Sequence, residues 1–170
     1  MSTWIEILPV DSATGSLKEA YDLAKTPAGT VDNVMRIHSL RPHTMVGHLK
    51  LYRSVLHHRE NTLPLWFLEA VGVLTSLLNN CEYSFTHHCT NLRRLLSDDE
   101  RFGTIENALR FHTLDAAFSG KELALMRYTE KLTISPGKVE ATDVEDAKSE
   151  GATEGEILEV NQVCAYFCYS

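Results

Sequence analysis

Residues 63–78, LPLWFLEAVGVLTSLL, constrain the fold of this chain more than any other stretch. On a helix they would be apolar on nearly every side, and such a helix is stable only when it is buried. Pro64 suits the first helical turn, where its missing N–H group costs nothing. Glu69 interrupts the stretch, and no run of about 18 uncharged apolar residues exists, so a membrane span is not expected. The stretch predicts a buried core helix.

The rest of the chain also has helical patterns, and no convincing alternating strand pattern. Leu17, Ala20, Tyr21 and Ala24 fall at i, i+3, i+4 and i+7, which makes one apolar helix face. Further helical segments are predicted over residues 31–40 (a brief turn), 42–58, 121–132 and 143–150, and after capping-box patterns at 97–100 and 153–156. Another helix is predicted to begin at Cys81, with Asn80 as its N-cap. We therefore expect an all-α fold of seven or eight helices, in a single domain over residues 1–170.

The composition is that of an ordinary globular domain, with 44% hydrophobic and 23% charged residues among 170. A formal net charge of −7 argues against a nucleic-acid-binding protein. The opening residues, MSTWIEILPVDS, have neither the basic segment nor the apolar run of a signal peptide. Four cysteines without such a signal suggest a reducing compartment, so we expect a cytoplasmic location. The cysteines are Cys81, Cys89, Cys164 and Cys168.

The segment 79–89, NNCEYSFTHHC, gathers side chains that can carry chemistry. On a helix, Cys81, Ser84 and His88 lie within roughly 60° of one another. Ser84 and His88 are one turn apart and can approach directly. Cys81 and His88 are two turns apart, about 10 Å along the axis, which is too far for direct proton transfer. Backbone N–H groups at the helix start favour a thiolate at Cys81, although Glu82 works against it.

Spacing alone leaves other interpretations of this segment open. Cys81 could be a small, half-buried packing residue. His87 and His88 could be surface or capping histidines. Cys164 and Cys168, spaced i, i+4 on an apolar face, are expected to pack in the core. The chain has no zinc signature, dinucleotide fingerprint, P-loop or nucleophile-elbow motif, so no metal or cofactor is predicted.

Glu69 is the second chemical signal, because it is the only charged residue between Glu60 and Glu82. Its helical neighbours are apolar, and burying a carboxylate costs several kcal/mol unless the group is partnered or protonated. A buried carboxylate is a candidate proton shuttle. The alternative is that Glu69 emerges at a crevice or binds a neighbouring chain.

The motif region, residues 39–92, resembles the alkylhydroperoxidase-D-like branch of the carboxymuconolactone decarboxylase superfamily. The resemblance lies in SLRPHTMVGHLKLYRSVL, in LWFLEAVGVLTSLLNN and in CEYSFTHH. The family pattern is a glutamate, a Cys-x-x-Cys pair twelve residues on, and a histidine four residues after the second cysteine. Those positions hold Glu69, Cys81, Ser84 and His88 here. Residues 124–167 also look like peroxidase-related members of the family.

The resemblance implies an all-helical fold, a symmetric homo-oligomer (a trimer or a hexamer), and thiol-dependent reduction of small hydroperoxides. In the family the second cysteine attacks the peroxide, helped by the histidine and the glutamate, and the first cysteine resolves the sulfenic acid. His88 and Glu69 would keep the proton-relay roles and Cys81 the resolving position. The attacking position is Ser84, and a serine hydroxyl cannot become a sulfenic acid.

Three hypotheses remain for the site. In the first, Cys81 attacks the peroxide itself and an external thiol resolves it. Cys89 cannot, because it lies about 12 Å further along the same helix. In the second, Glu69 and His88 carry out acid–base chemistry on a small lactone or carboxylate that Ser84 orients. In the third, the protein is a catalytically silent member of the family.

Overall fold

The structure, a computed structural model, describes residues 3–170. Over that range it contains α-helices and two short 3-10 turns, and no strand. The helices are α1 (Gly15–Ala24), α2 (Asn33–Arg36), α3 (Pro42–Leu56), α4 (Leu65–Leu78), α5 (Glu82–Leu96), α6 (Asp99–Arg110), α7 (Gly120–Ile134), α8 (Ala141–Ser149) and α9 (Glu154–Tyr169). The predicted all-α fold is confirmed. The described residues form nine helices, because the brief turn expected over 31–40 contains α2 as a helix of its own.

The chain divides after Ser54 into two compact units, and α3 crosses the division. In the first unit α1, α2 and α3 enclose a small apolar core, and the Tyr21 hydroxyl donates a hydrogen bond to the Leu8 carbonyl at 2.7 Å. The buried residues of that core are Ala20, Tyr21, Ala24, Met35 and Met45. A single domain over residues 1–170 stays a prediction.

The second unit is built around α4. All residues from 67 to 76 are buried, and α4 contacts α5, α6, α7 and α9. The buried helix predicted from residues 63–78 is thereby confirmed. Phe67, Leu68 and Leu74 are fully buried, and burial of each such side chain contributes about 1.5–3 kcal/mol of stability. No helix in residues 3–170 is both long and apolar enough to cross a membrane.

Helix caps fix where the elements around α4 begin. The Thr153 side chain accepts from the Glu156 N–H group, and the predicted capping box at 153–156 is confirmed. The box predicted at 97–100 is wrong, because the N-cap of α6 is Asp98, whose carboxylate accepts from two backbone N–H groups. Ser97 instead ends α5 in a left-handed conformation, with φ of 50°. An ionised carboxylate is the stronger acceptor for N–H groups at a helix start.

Glu159 on α9 holds the segment that leads into α4. Its carboxylate accepts from the Thr62 N–H group at 2.7 Å and from the Leu63 N–H group at 2.9 Å. Charge-assisted hydrogen bonds of this kind are about twice as strong as neutral ones. The start of α4, and with it the position of Glu69 one turn later, is therefore tied to α9.

Candidate active site

Two polar helix faces meet where α4 packs against α5. On each helix the residues recur at spacings of three, four or seven, which places them on one side. We call this set the polar seam; it consists of Glu69, Gly72 and Ser76 on α4 and of Ser84, His88 and Asn91 on α5. Hydrogen bonds join its two sides along its length. The seam brings together three of the four predicted site residues.

Glu69 and His88 form the central contact of the seam. His88 Nδ1 lies 2.7 Å from Glu69 Oε2. The Glu69 side chain is 1% exposed and that of His88 15%. Beside an ionised carboxylate, which can only accept, Nδ1 carries the proton, and Nε2 is the nitrogen that remains for proton transfer. Of the two interpretations of Glu69, burial is the one that the structure shows, and the partner that offsets the cost of burying it is His88.

Asn91 holds the other oxygen of the same carboxylate. Its Nδ2 group donates to Glu69 Oε1 over 3.4 Å, a long hydrogen bond. Both carboxylate oxygens therefore have a donor. Asn91 was not predicted from the sequence, although it lies three residues after His88 and so on the same helix face.

Phe167 of α9 packs against the seam at Gly72. Its ring meets the His88 ring edge to face, with 4.5 Å between the ring centroids. A Cβ atom at Gly72 would lie only 2.3 Å from Cζ of Phe167, so only glycine leaves room for this ring. Phe167 is buried and shields one side of the His88 ring from water. The contacts among Phe167, Gly72 and His88 were not predicted from the sequence.

Ser84, the residue at the family's attacking position, bonds across the seam to Ser76. The two hydroxyl oxygens are 2.8 Å apart, and Ser76 Oγ also lies 2.7 Å from the Gly72 carbonyl oxygen. Because the Ser76 hydroxyl has a single proton, it can donate to only one of these two oxygens. The helical spacing allows Ser84 to approach His88, whereas the structure shows Ser84 hydrogen-bonded to Ser76. Ser76 could have been noticed, since it is seven residues after Glu69.

Cys81 lies at the end of the seam, as the N-cap residue of α5. Its N–H group donates to the Ser76 carbonyl oxygen at 2.9 Å, and its thiol is free and half-buried. The prediction that Asn80 caps a helix starting at Cys81 is wrong by one residue. Asn80 adopts a left-handed conformation, φ 53°, which asparagine tolerates better than most residues. Cys81 therefore stands just before the positive end of α5.

Two histidines outside the seam behave differently. His87 is exposed, with Nδ1 2.9 Å from the Tyr83 carbonyl oxygen, as expected of a surface histidine. His57 is also exposed, yet burial of part of its ring lowers its pKa. The nearby Glu69 charge opposes this lowering of the pKa, and His88 adds to it. His57 is thus an additional titratable group in the electrostatic field of the Glu69–His88 pair.

The remaining cysteines differ in exposure. Burial raises the pKa of the Cys89 thiol to about 11. Cys164 is buried and burial raises its pKa too, so its predicted core packing is confirmed. The same prediction is wrong for Cys168, which is exposed because the last turn of α9 turns that side outward. In the part of the chain that is described, no three His, Cys, Asp or Glu side chains come together as a metal site.

Comparison with known proteins identifies the fold. No protein-family model matches the sequence, and no curated protein matches it. Crystal structures with a similar fold include those of two peroxidase-related proteins. The first is "alkylhydroperoxidase AhpD core: uncharacterized peroxidase-related protein" from Ralstonia eutropha JMP134, with a TM-score of 0.79 at 18% identity, over 96% of this chain and 83% of that one.

The second is an "uncharacterized peroxidase-related protein" from Silicibacter sp. TM1040. Its TM-score is 0.75 at 19% identity, and the match covers 89% of this chain and 77% of that one. Identities this low show the fold alone. The chain has the all-helical fold of the alkylhydroperoxidase AhpD core.

Proposed function

We propose that this protein reduces small hydroperoxides through the thiol of Cys81, with Glu69 and His88 as its proton relay. The observation that carries the proposal is the 2.7 Å hydrogen bond between a buried carboxylate and a histidine on the helix that Cys81 caps. A buried ionisable pair is costly to maintain and is common at catalytic sites. The likeness to peroxidase-related proteins supports the same chemistry.

The proposed reaction begins with transfer of the Cys81 proton towards Nε2 of His88. Ser84 lies between the two in the sequence, and its hydroxyl, hydrogen-bonded to Ser76 in the structure, can both accept and donate. In this proposal it bridges a gap too wide for direct transfer. The negative charge of Glu69 stabilises the imidazolium that results. In this role Ser84 carries a proton and undergoes no oxidation.

The oxidation step then breaks the O–O bond of the hydroperoxide. The Cys81 thiolate attacks the terminal oxygen and becomes a sulfenic acid, while the peroxide is reduced by two electrons. The leaving alkoxide takes the proton from His88 and departs as an alcohol. A thiol reductant returns the sulfenic acid to the thiol with release of water.

The test is the consumption of cumene hydroperoxide by the purified protein with dithiothreitol as reductant. We expect turnover in the wild type, none in Cys81→Ser, and wild-type turnover in the matched control Cys89→Ser, whose thiol is buried. Equal consumption by the wild type and Cys81→Ser would contradict the proposal, and so would a wild type without activity.

One observation favours a second function, acid–base chemistry without redox. The Ser84 hydroxyl shares the His88 face within one turn and is hydrogen-bonded to Ser76. The Glu69–His88 pair needs no thiol to move protons. A small lactone or carboxylate would be the substrate. Turnover of such a compound that survives in Cys81→Ser and is lost in His88→Gln would establish this function.

The assembly that we propose is a symmetric homo-oligomer, a trimer or a hexamer. The resemblance to the alkylhydroperoxidase-D-like proteins supports it. Sedimentation velocity at micromolar concentration should give a mass three or six times the 19.1 kDa of the chain. A single species at the monomer mass would contradict the assembly without bearing on the chemistry of Cys81.

A further inference from the structure

The proposed reaction needs a second thiol to reduce the Cys81 sulfenic acid, and this chain contains a candidate for it. All four cysteines lie in the described residues, and among them only Cys168 is exposed. Cys89 and Cys164 are buried and have raised pKa values, which disfavour the thiolate needed to attack a sulfenic acid. Exposure and chemistry together therefore single out Cys168.

Contacts of α9 place Cys168 at the Cys81 end of the polar seam. The Asn79 side chain donates from Nδ2 to Cys168 Sγ over 3.6 Å. Asn79 is two residues before Cys81, and two residues span at most about 7 Å. The neighbouring residue Phe167 lies against His88 and Gly72. The last turn of α9 is thus packed on the turn from which Cys81 projects.

The two cysteines occupy positions that allow a small rearrangement. Cys81 precedes the first residue of α5, so it belongs to the turn and not to the regular helix. Cys168 lies in the last turn of α9, where backbone carbonyls lack helical partners and the helix opens most easily. A disulfide needs Cα atoms about 4.4–6.8 Å apart, so the rearrangement has to bring the Cα atoms of Cys81 and Cys168 within that separation.

We propose that Cys168 is the resolving thiol for Cys81, forming an intramolecular disulfide after Cys81 has been oxidised. The Cys168 thiolate attacks the sulfur of the Cys81 sulfenic acid, a sulfur–sulfur bond forms, and the sulfur–oxygen bond breaks. The hydroxide that leaves takes up a proton and becomes water. One hydroperoxide and two thiols thus give one alcohol, one water and one disulfide, which an external dithiol reduces. This inference rests on the proposed function.

The test treats the reduced full-length protein with one equivalent of cumene hydroperoxide and maps its disulfides by non-reducing peptide mass spectrometry. We expect a Cys81–Cys168 disulfide in the wild type. Cys168→Ser should instead hold Cys81 as a sulfenic acid that dimedone traps, with a lifetime at least about tenfold longer. The control Cys164→Ala should behave as the wild type, which excludes a role for Cys164, the thiol one helical turn before Cys168 on α9.

A second experiment distinguishes the resolving role of Cys168 from the reduction of hydroperoxide by Cys81, on which that role rests. Diamide oxidises neighbouring thiols without a peroxide, so it should form the same disulfide. Two results would overturn the role of Cys168 and leave the peroxidase activity intact. One is Cys81 that hydroperoxide oxidises but that forms no disulfide. The other is a Cys164–Cys168 disulfide in place of the expected Cys81–Cys168 disulfide. A Cys81–Cys168 disulfide with diamide and no reaction with hydroperoxide would overturn the proposed function, and the resolving role with it.

Discussion

His88 Nδ1 lies 2.7 Å from Oε2 of Glu69, a carboxylate that is 1% exposed. This contact orients the imidazole, fixes which nitrogen carries the proton, and gives an imidazolium a negative charge to face. The Glu69 carboxylate is buried and has one strong hydrogen-bond partner. Stability alone explains such a pair poorly, because two apolar residues of the same volume in its place are often as stable. Substitutions of the pair and of the residues that hold it should therefore change the turnover or the stability of the protein.

Replacing the carboxylate should impair the chemistry more than the fold. Glu69→Gln keeps a hydrogen-bond acceptor beside His88 and removes the charge that stabilises the imidazolium. We expect hydroperoxide turnover to fall by about 10²-fold or more, with the helical circular dichroism unchanged. The control Glu145→Gln, at an exposed position on α8, should keep its rate. Full activity in Glu69→Gln would remove the pair from the mechanism.

Restoring a thiol at position 84 should raise the activity. Ser84→Cys recreates the Cys-x-x-Cys pattern on the same face as His88 and one turn from it. The new thiol would attack the peroxide, and Cys81 would resolve it. We expect faster turnover of cumene hydroperoxide than in the wild type, and a disulfide between Cys81 and the introduced thiol in the mass spectrum after oxidation. A Ser84→Cys protein with unchanged kinetics would argue that the seam is closed to peroxides.

The contact of Phe167 with Gly72 should make that glycine sensitive to substitution. In Gly72→Ala the new methyl group would lie 2.3 Å from the ring, so the ring or the helix must shift. We expect a loss of about 1–3 kcal/mol in the free energy of unfolding, measured in urea. Gly103→Ala is the matched control, because a methyl group there meets nothing within 4 Å. It should stabilise α6 by about 0.5–1 kcal/mol.

A second variant checks that the loss comes from this contact. Combining Gly72→Ala with Phe167→Leu removes the ring that the methyl group strikes, so the double variant should lose less than the sum of the two single variants. Simple additivity would mean that the alanine acts through something other than Phe167.

The sequence revealed the parts of this molecule that depend on local pattern. The apolar stretch at 63–78 predicts a buried helix, and the single charged residue inside it, Glu69, needs a partner there. Features that depend on how helices dock could not be found this way. The outward side of Cys168 and the close approach of Phe167 to Gly72 both require knowing that α9 packs on α4. Ser97 and Asp98 are adjacent and either could cap the start of α6, and the sequence pattern did not decide between them; the N-cap is Asp98.

The histidine pair of the first unit is another feature set by docking, and it predicts a pH dependence. His48 is buried, with Nδ1 3.1 Å from Nε2 of His38. Burial, reinforced by His38, lowers the pKa of His48 to about 4, and burial also lowers the pKa of His38. Between pH 6.5 and 4 the unfolded chain therefore binds more protons than the folded one, so stability falls as the pH falls through this window.

The expected contribution of His48 to this loss is about 3 kcal/mol in the free energy of unfolding between about pH 7 and pH 4. Urea unfolding at a series of pH values measures it. His48→Gln should flatten the dependence over this window, whereas His43→Gln, on the same helix, should leave it as in the wild type. Equal pH dependence in the wild type and His48→Gln would show that the pair is not the source.

The role of Cys81 is tested most simply by a stoichiometric reaction of the fully reduced protein with cumene hydroperoxide in the absence of any reductant. We expect one equivalent to be consumed per chain, with Cys81 as the residue oxidised in the peptide map and Cys89 and Cys164 still reduced. If Cys81 stays reduced while the hydroperoxide remains in solution, the thiol mechanism is wrong. That result would leave the Glu69–His88 pair to chemistry that involves no thiol.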